Sequence, residues 1–194
     1  MRLRDEILAA TAQLLVEKGD ESLVSIRAVA DAVGVTPPSI YLHFPDKEAL
    51  IVEVCEQRFR EFDAAQEAAA AQHTDPLESL KARGRAYVRF GLDHPEAYRI
   101  LFMTRSVRAI ELTGESPEAS DAGVTALMHF VEAVRRCVDA GAFAPADPML
   151  IALKLWIAVH GVVSLLICER GFPWPPVDVL VESILETHAR GLAP

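Results

Sequence analysis

Apolar residues recur at helical spacing along nearly the whole chain, and no segment of useful length alternates with period two. That pattern restricts the molecule to helices packed on helices, so the expected class is all-α, with about nine helices. Punctuation sets their bounds. The first runs from about Arg4 to Lys18 and stops at Gly19. The second starts after Ser25, a good N-cap, places Ile26, Val29, Ala30 and Val33 on one stripe and ends at Gly34. A third begins at Thr36 and is over by Phe44, and Pro45-Asp46 opens a long helix from Lys47 to about Ala71, with Asp46 as its N-cap. Residues 1–46 therefore read as one three-helix unit and residues 47–194 as a larger helical bundle. Helices are expected in the bundle from Pro76 to about Asp93, Pro95 to Met103, Glu118 to Ala140, Asp147 to Arg170 and Pro176 to Arg190. Thr104 to Pro117 reads as a connecting loop, and Gly171 to Pro176 is too proline-rich to be helical.

Composition narrows the class. Half the residues are apolar (51%), which rules out disorder, and a chain of 194 residues needs no disulfide or metal staple. Cys55, Cys137 and Cys168 are odd in number and far apart; they fit neither a disulfide framework nor zinc spacing, read as small apolar groups, and suit a reducing cytoplasm. The N-terminus turns acidic before any apolar stretch, unlike a secretory signal. The longest oily run, Leu155 to Cys168, is interrupted by His160 and Ser164 and is short of the roughly 20 residues that a bilayer needs, so no membrane partner is expected. With 28 acids against 19 bases the net charge is −9, which by itself argues against nucleic acid.

The motif at residues 25–44 argues the other way. Two short helices joined through Gly34-Val35 make a helix-turn-helix: the glycine supplies the left-handed turn and Val35 an apolar contact behind it. Thr36 is placed to cap the second helix, Pro37 sits at its first position and Pro38 at its second. Because neither proline has an N–H, Thr36 is expected to cap through the amide of Ser39, and few backbone donors remain for a phosphate. Contacts must then come from the side chains of Thr36, Ser39, Tyr41 and His43.

The run from Ile7 to Leu50, with Gly19, Ser25-Ile26-Arg27, Gly34-Val35-Thr36 and the Tyr41-Leu42-His43-Phe44-Pro45-Asp46-Lys47 ending, resembles the DNA-binding domain of the tetracycline-repressor (TetR) family of bacterial regulators. Trp156, His160 and Gly161 resemble the signature of its WHG-type C-terminal domain. The resemblance implies a homodimer reading a palindromic operator in double-stranded DNA, most often a repressor released by a small molecule. Carried over by position, Ser25 and Arg27 would touch phosphates. Thr36, Pro37, Ser39, Tyr41, Leu42 and His43 would face the groove and its backbone, and Lys47 would hold a further phosphate. Ile40 and Phe44 read as core. Leu42 departs from the polar residue of many relatives; it has no hydrogen bond to offer a base edge, and the groove feature it fits is a thymine methyl. Each residue also has a plain reading: Ser25 and Thr36 as caps, Arg27 as a surface charge, Tyr41 and His43 as solvated rings, Lys47 as a partner of Asp46 or Glu48. Residues 1–47 carry five bases and seven acids, so affinity would rest on a few placed groups.

In the bundle, the two last helices are the expected dimer interface. Leu150, Leu153, Ile157, His160, Gly161, Ser164 and Ile167 come from one, and Leu180, Val181, Ile184, Leu185 and His188 from the other. Gly161 in mid-helix costs about 1 kcal/mol against alanine, a cost that close approach of another helix would offset. The effector is expected to be a small apolar or amphipathic molecule held among Tyr87, Phe90, Phe102, Met103, Met128, His129, Phe130, Val134 and Trp156, most of which also read as ordinary core. No cofactor, metal site or catalytic role is expected: the chain lacks a His-Glu-x-x-His pattern, a phosphate loop and a Gly-x-Ser-x-Gly elbow, and its six histidines are scattered. The alternatives are a helical enzyme or carrier using the C-terminal cavity, an activator or a regulator answering to another protein, and a protein of this fold that has lost DNA binding.

Overall fold

The computed structural model describes residues 3–103 and 121–194. Among them, nine α-helices and no strands are found: α1 Leu3–Lys18, α2 Ile26–Val33, α3 Pro37–Tyr41, α4 Lys47–Ala70, α5 Pro76–Asp93, α6 Pro95–Phe102, α7 Asp121–Asp139, α8 Pro148–Cys168 and α9 Val177–Leu192. The expected Thr104–Pro117 loop, and the expected start of α7 at Glu118, lie outside the described residues. A single 3₁₀ turn, Glu21–Leu23, capped by the Asp20 carboxylate on the Ser22 amide at 2.8 Å, was not legible from periodicity. The caps follow their side chains: Asp46 accepts from the Ala49 amide (2.7 Å), Asp75 from Glu78 (2.8 Å) and Asp147 from Met149 (2.9 Å).

The chain forms two compact units. The first comprises the described residues through Arg60 and those from Glu96 to Val124. Ile7, Leu15, Val29, Ile40, Leu50 and Val54 form its core, so the first turns of α4 share one apolar interior with α1 to α3. The compact unit thus extends beyond the Asp46/Lys47 boundary read from the sequence, because Leu50, Ile51 and Val54 face the helix-turn-helix. Thr11 is buried without penalty, its hydroxyl donating to the Ile7 carbonyl at 2.7 Å.

The second unit holds residues 61–95 and 125–194. Val134, Cys137, Phe143, Ile151 and Ala152 are at its centre. Burial pushes the Cys137 thiol up to about 11, so this cysteine is packed as an inert apolar group. Cys168, by contrast, is exposed, which corrects the expectation that all three cysteines are packed inside. Helix α5 packs on both α8 and α9. Against α9 the approach is close at Gly84, where a Cβ would come within 2.6 Å of Leu185 Cδ2, and glycine's lack of a side chain is what admits the leucine. Two ion pairs flank that contact, Lys81–Glu186 at 2.9 Å and the two-pronged Arg85–Glu182.

Helix α8 corrects one sequence expectation. The oily run had looked too short for a bilayer, yet the helix has 21 residues and by length and composition alone would cross one. Its Ile151, Ala152, Val159, Val162, Val163 and Ile167 are buried within the unit. The rest of its apolar surface is not: Leu150, Ile157 and Leu165 are exposed, and they lie on one face.

Candidate nucleic-acid interface and regulatory unit

The turn between α2 and α3 is built by backbone bonds. Gly34 has φ +79°, its amide donates to the Ala30 and Asp31 carbonyls, and the Val35 amide also reaches Ala30 (3.0 Å), the Schellman arrangement that closes a helix end. Ser25 starts α2 as expected, accepting from the Ala28 amide at 3.1 Å. At α3 the expected cap does not form. The Ser39 amide donates to the Thr36 carbonyl (2.9 Å), and the Thr36 hydroxyl lies 3.1 Å from the Ser39 hydroxyl. With prolines at the first two positions, one amide was left for the cap, and the turn carbonyl takes it.

Along α3, burial separates two sets. Ile40 and Phe44 are in the core, while Thr36, Tyr41, Leu42 and His43 are exposed and Pro37 and Ser39 half-buried. Leu42 shows 84% of its surface and Tyr41 52%, far more than the fold needs from a leucine or a tyrosine. Arg27 is exposed on α2. Lys47 is paired with neither Asp46 nor Glu48 as the plain reading had it; its ammonium donates to the Glu21 carbonyl at 3.1 Å and pins the 3₁₀ turn to the start of α4. Arg4 is drawn inward too, bridging to Glu53 at 3.3 Å and lying over the Phe44 ring.

In the second unit, Tyr87 and Phe90 are buried and form an edge-on cluster with Phe62, at 5.0 and 5.3 Å between ring centres. The Tyr87 hydroxyl joins α5 to α8: it accepts from the Trp156 indole (3.0 Å) and lies 3.2 Å from His160 Nδ1, whose other nitrogen lies 3.3 Å from the Ser164 hydroxyl. A neutral imidazole uses each of these protons once, with Tyr87 donating to Nδ1 and Nε2–H donating to Ser164. Two residues of the C-terminal signature, Trp156 and His160, thus stand one turn apart and meet on one hydroxyl. Sequence spacing showed the pair but not the tyrosine that receives it.

Burial holds the His160 imidazole below its ordinary value of 6.5, because desolvation disfavours the charged ring. The sign follows: the unfolded chain takes up a proton at a higher pH than the native one, so the stability gained from a neutral His160 is complete above pH 6.5 and is lost as pH falls towards the native value. Thermal melts from pH 8 to 5 are expected to be flat at first and then to fall in Tm below 6.5, with a smaller fall in His160→Gln. Parallel curves for the two proteins would contradict this.

The other effector candidates are scattered. Val134 is fully buried and Phe130 packs beside it, so both are core. Met128 is exposed and lines no interior. Phe102 and Met103 fall in the first unit, where Phe102 stands edge-on to Phe59 at 5.9 Å and Met103 is exposed. His129 is exposed rather than set among apolar neighbours; its Nδ1 lies 2.9 Å from Asp63 and 3.6 Å from Glu67. These three groups offer ligand atoms within 4.8 Å of one another, a juxtaposition invisible in a sequence where His129 is more than 60 residues from both carboxylates. Arg83, 4% exposed, reaches Glu67 at 2.6 Å and already supplies the positive charge that this carboxylate needs.

Of the residues expected at a dimer interface, Leu150 and Ile157 are exposed, the latter by 68%, and Leu153, Gly161 and Ser164 are half-buried. Ile167 and Val181 are buried within the chain's own second unit. Leu185 fills the space over Gly84, His160 is bonded to Tyr87, and His188 donates to the Ile184 carbonyl at 2.8 Å, so each of these half-buried residues has a partner within the chain. Leu180 and Ile184 are half-buried.

Comparison with known proteins matches both parts of the chain. Residues 7–54 match the family "Bacterial regulatory proteins, tetR family", and residues 80–188 match "Tetracyclin repressor-like, C-terminal domain". Over 128 residues the chain is 23% identical to the HTH-type transcriptional activator FasR of Mycolicibacterium smegmatis, covering 66% of this chain and 58% of that protein. It is 26% identical over 109 residues to the HTH-type transcriptional repressor KstR2 of the same species, covering 56% of this chain and 52% of the relative. The chain therefore spans only about half the length of these relatives. Among solved structures, a Rhodococcus sp. RHA1 protein of unknown function superposes with a TM-score of 0.82 at 28% identity, covering 100% of this chain and 97% of that one. A TetR family regulator from Marinobacter aquaeolei VT8 superposes at 0.80 with 21% identity, covering 98% and 95%. A glycine-hinged helix-turn-helix with an exposed edge on α3, continued by a helical domain that the second family profile matches over more than half the chain, leaves one assignment: the chain belongs to the TetR family of DNA-binding transcriptional regulators.

Proposed function

We infer that the protein is a homodimeric repressor of a palindromic operator, released by a small apolar or amphipathic effector. Residues 1–46 read DNA, and residues 47–194 bind the effector and dimerise. The observation that carries this reading is the edge formed by Thr36, Ser39, Tyr41, Leu42 and His43 above a buried Ile40 and Phe44. Ser25, Arg27, Pro37 and Lys47 supply or flank the backbone contacts. The exposed face of α8 at Leu150, Ile157 and Leu165 supports a helix from a second copy as its cover. Gly161 lies on that face, and among the described residues, its own helix's backbone and its two chain neighbours aside, no atom lies within 4 Å of where a Cβ would stand, so the close approach expected at this glycine would come from the partner. Effector binding acts by population shift: the ligand favours one shape of the bundle, and α4, whose residues belong to both units, carries the difference to the recognition helices. No catalytic role is part of this reading, and an intracellular location follows from the partner being the chromosome.

Relatives of both signs, the FasR activator and the KstR2 repressor, match the chain. A repressor is favoured because release by ligand is the simplest use of a two-shape bundle. The test is selection of bound duplexes from a random pool with the full-length protein. A palindrome with half-sites about one helical turn apart, some 34–36 Å or a multiple of it, is the expected product. Single half-sites would exclude dimeric reading, and no enrichment would exclude DNA reading altogether.

A further inference from the structure

The edge that α3 presents is unusual in what it lacks. From Thr36 to His43 the residues are Thr, Pro, Pro, Ser, Ile, Tyr, Leu and His, with no arginine or lysine to grip guanine, no asparagine or glutamine for adenine and no carboxylate for cytosine. What remains to read a base edge is a set of hydroxyls, one imidazole and one aliphatic side chain. That side chain, Leu42, is the most exposed large apolar residue of the described chain at 84%, and it follows the last residue of α3 in a helical conformation (φ −69°, ψ −21°). It has no part in the core formed by Ile7, Val29, Ile40 and Leu50. An aliphatic group held in water on a surface built to meet DNA gains only if the DNA offers it something apolar. The major groove offers one such group, the C5-methyl of thymine.

We propose that Leu42 is a specificity residue, and that each half-site of the operator sets a thymine methyl against it. The inference rests on DNA being the partner of α3, and it commits to a base: thymine is preferred at that position because of its methyl, not its hydrogen-bonding groups. Tyr41, the residue before it, is 52% exposed.

The test separates the methyl from every other property of the base. In the operator obtained by selection, each thymine is replaced in turn, in both half-sites, by deoxyuridine, which keeps all donors and acceptors and removes only the methyl. For the wild-type protein one position is expected at which uridine weakens binding about fourfold per half-site, or about fifteenfold for the symmetric operator, the value of one methyl group removed from water. In Leu42→Ala the thymine and uridine operators are expected to bind alike; the residue is exposed, so an unchanged melting curve verifies the fold. In Leu42→Gln, selection is expected to exchange the thymine for adenine, the base that glutamine grips in two places. Uridine tolerated within twofold at every position, or a thymine-to-uridine ratio that survives in Leu42→Ala, would overturn the assignment of Leu42 while leaving DNA binding intact. Failure to select any operator overturns both.

Discussion

Truncating Tyr41 to alanine is expected to leave the melting temperature unchanged and to weaken operator binding by about 10- to 100-fold per half-site, the size of one good contact to a base or its backbone. The same truncation one residue earlier behaves in the opposite order. Ile40 is fully buried between α2 and α4, and Ile40→Ala costs about 2–5 kcal/mol of stability before DNA is considered. The pair distinguishes reading from folding within a single helix of five residues. Binding of the wild-type protein is also expected to depend weakly on salt. Arg4 is tied to Glu53, and Lys47 has one of its three donors on the Glu21 carbonyl, so Arg27 and Lys47 are the cations left in the set assigned to phosphate. At about 0.9 per neutralised phosphate, two protomers give a slope no steeper than about −4. A Tyr41→Ala protein that binds normally, or a steep slope of about −8, would show that the reading surface lies elsewhere.

Charging the exposed face of α8 is the second large perturbation. Ile157→Glu is expected to turn the protein into a monomer, because a two-fold axis brings two unpaired carboxylates into an apolar contact, and an uncompensated buried charge costs about 3–5 kcal/mol. Ile157 is 68% exposed in the protomer, so the fold itself should survive, with helicity and Tm retained. Val163 on the buried side of the same helix is the contrast: Val163→Glu should unfold the unit. Sedimentation equilibrium of Ile157→Glu decides the matter, since a dimer of undiminished affinity would exclude this face as the interface. Operator affinity should fall with the dimer.

Much of the fold was legible because helix ends are chemical events. Ser25 and Asp46 announce helix starts by their side chains, and each accepts the amide it should; Asp75 and Asp147, not singled out as caps by the sequence, do the same. Thr36 failed the same test because two prolines changed which amide was free, a case where a cap rule meets a stronger local constraint. The exposed edge of α3 was legible for a related reason: in a helix of one and a half turns, fixing Ile40 and Phe44 as core leaves the other side chains outside. The regulatory half was less so. Periodicity marks an apolar stripe on α9, but it says nothing about whether the cover comes from the same chain, and for Val181 and Leu185 it does. The polar groups that organise this unit come from helices distant in sequence: Tyr87 with His160, Asp63 with His129, Glu67 with Arg83. No local pattern could announce them.

The two prolines that open α3 also bear on how binding is achieved. A five-residue helix is too short to persist in water on its own. Pro37 and Pro38 fix two φ angles in advance, and Ile40 and Phe44 anchor the segment from beneath. In the proposed reading α3 meets DNA already helical, and little chain entropy is left for it to lose at the moment of contact. For a proposed reading unit that carries more acids than bases, such preorganisation would add to affinity where charge supplies little.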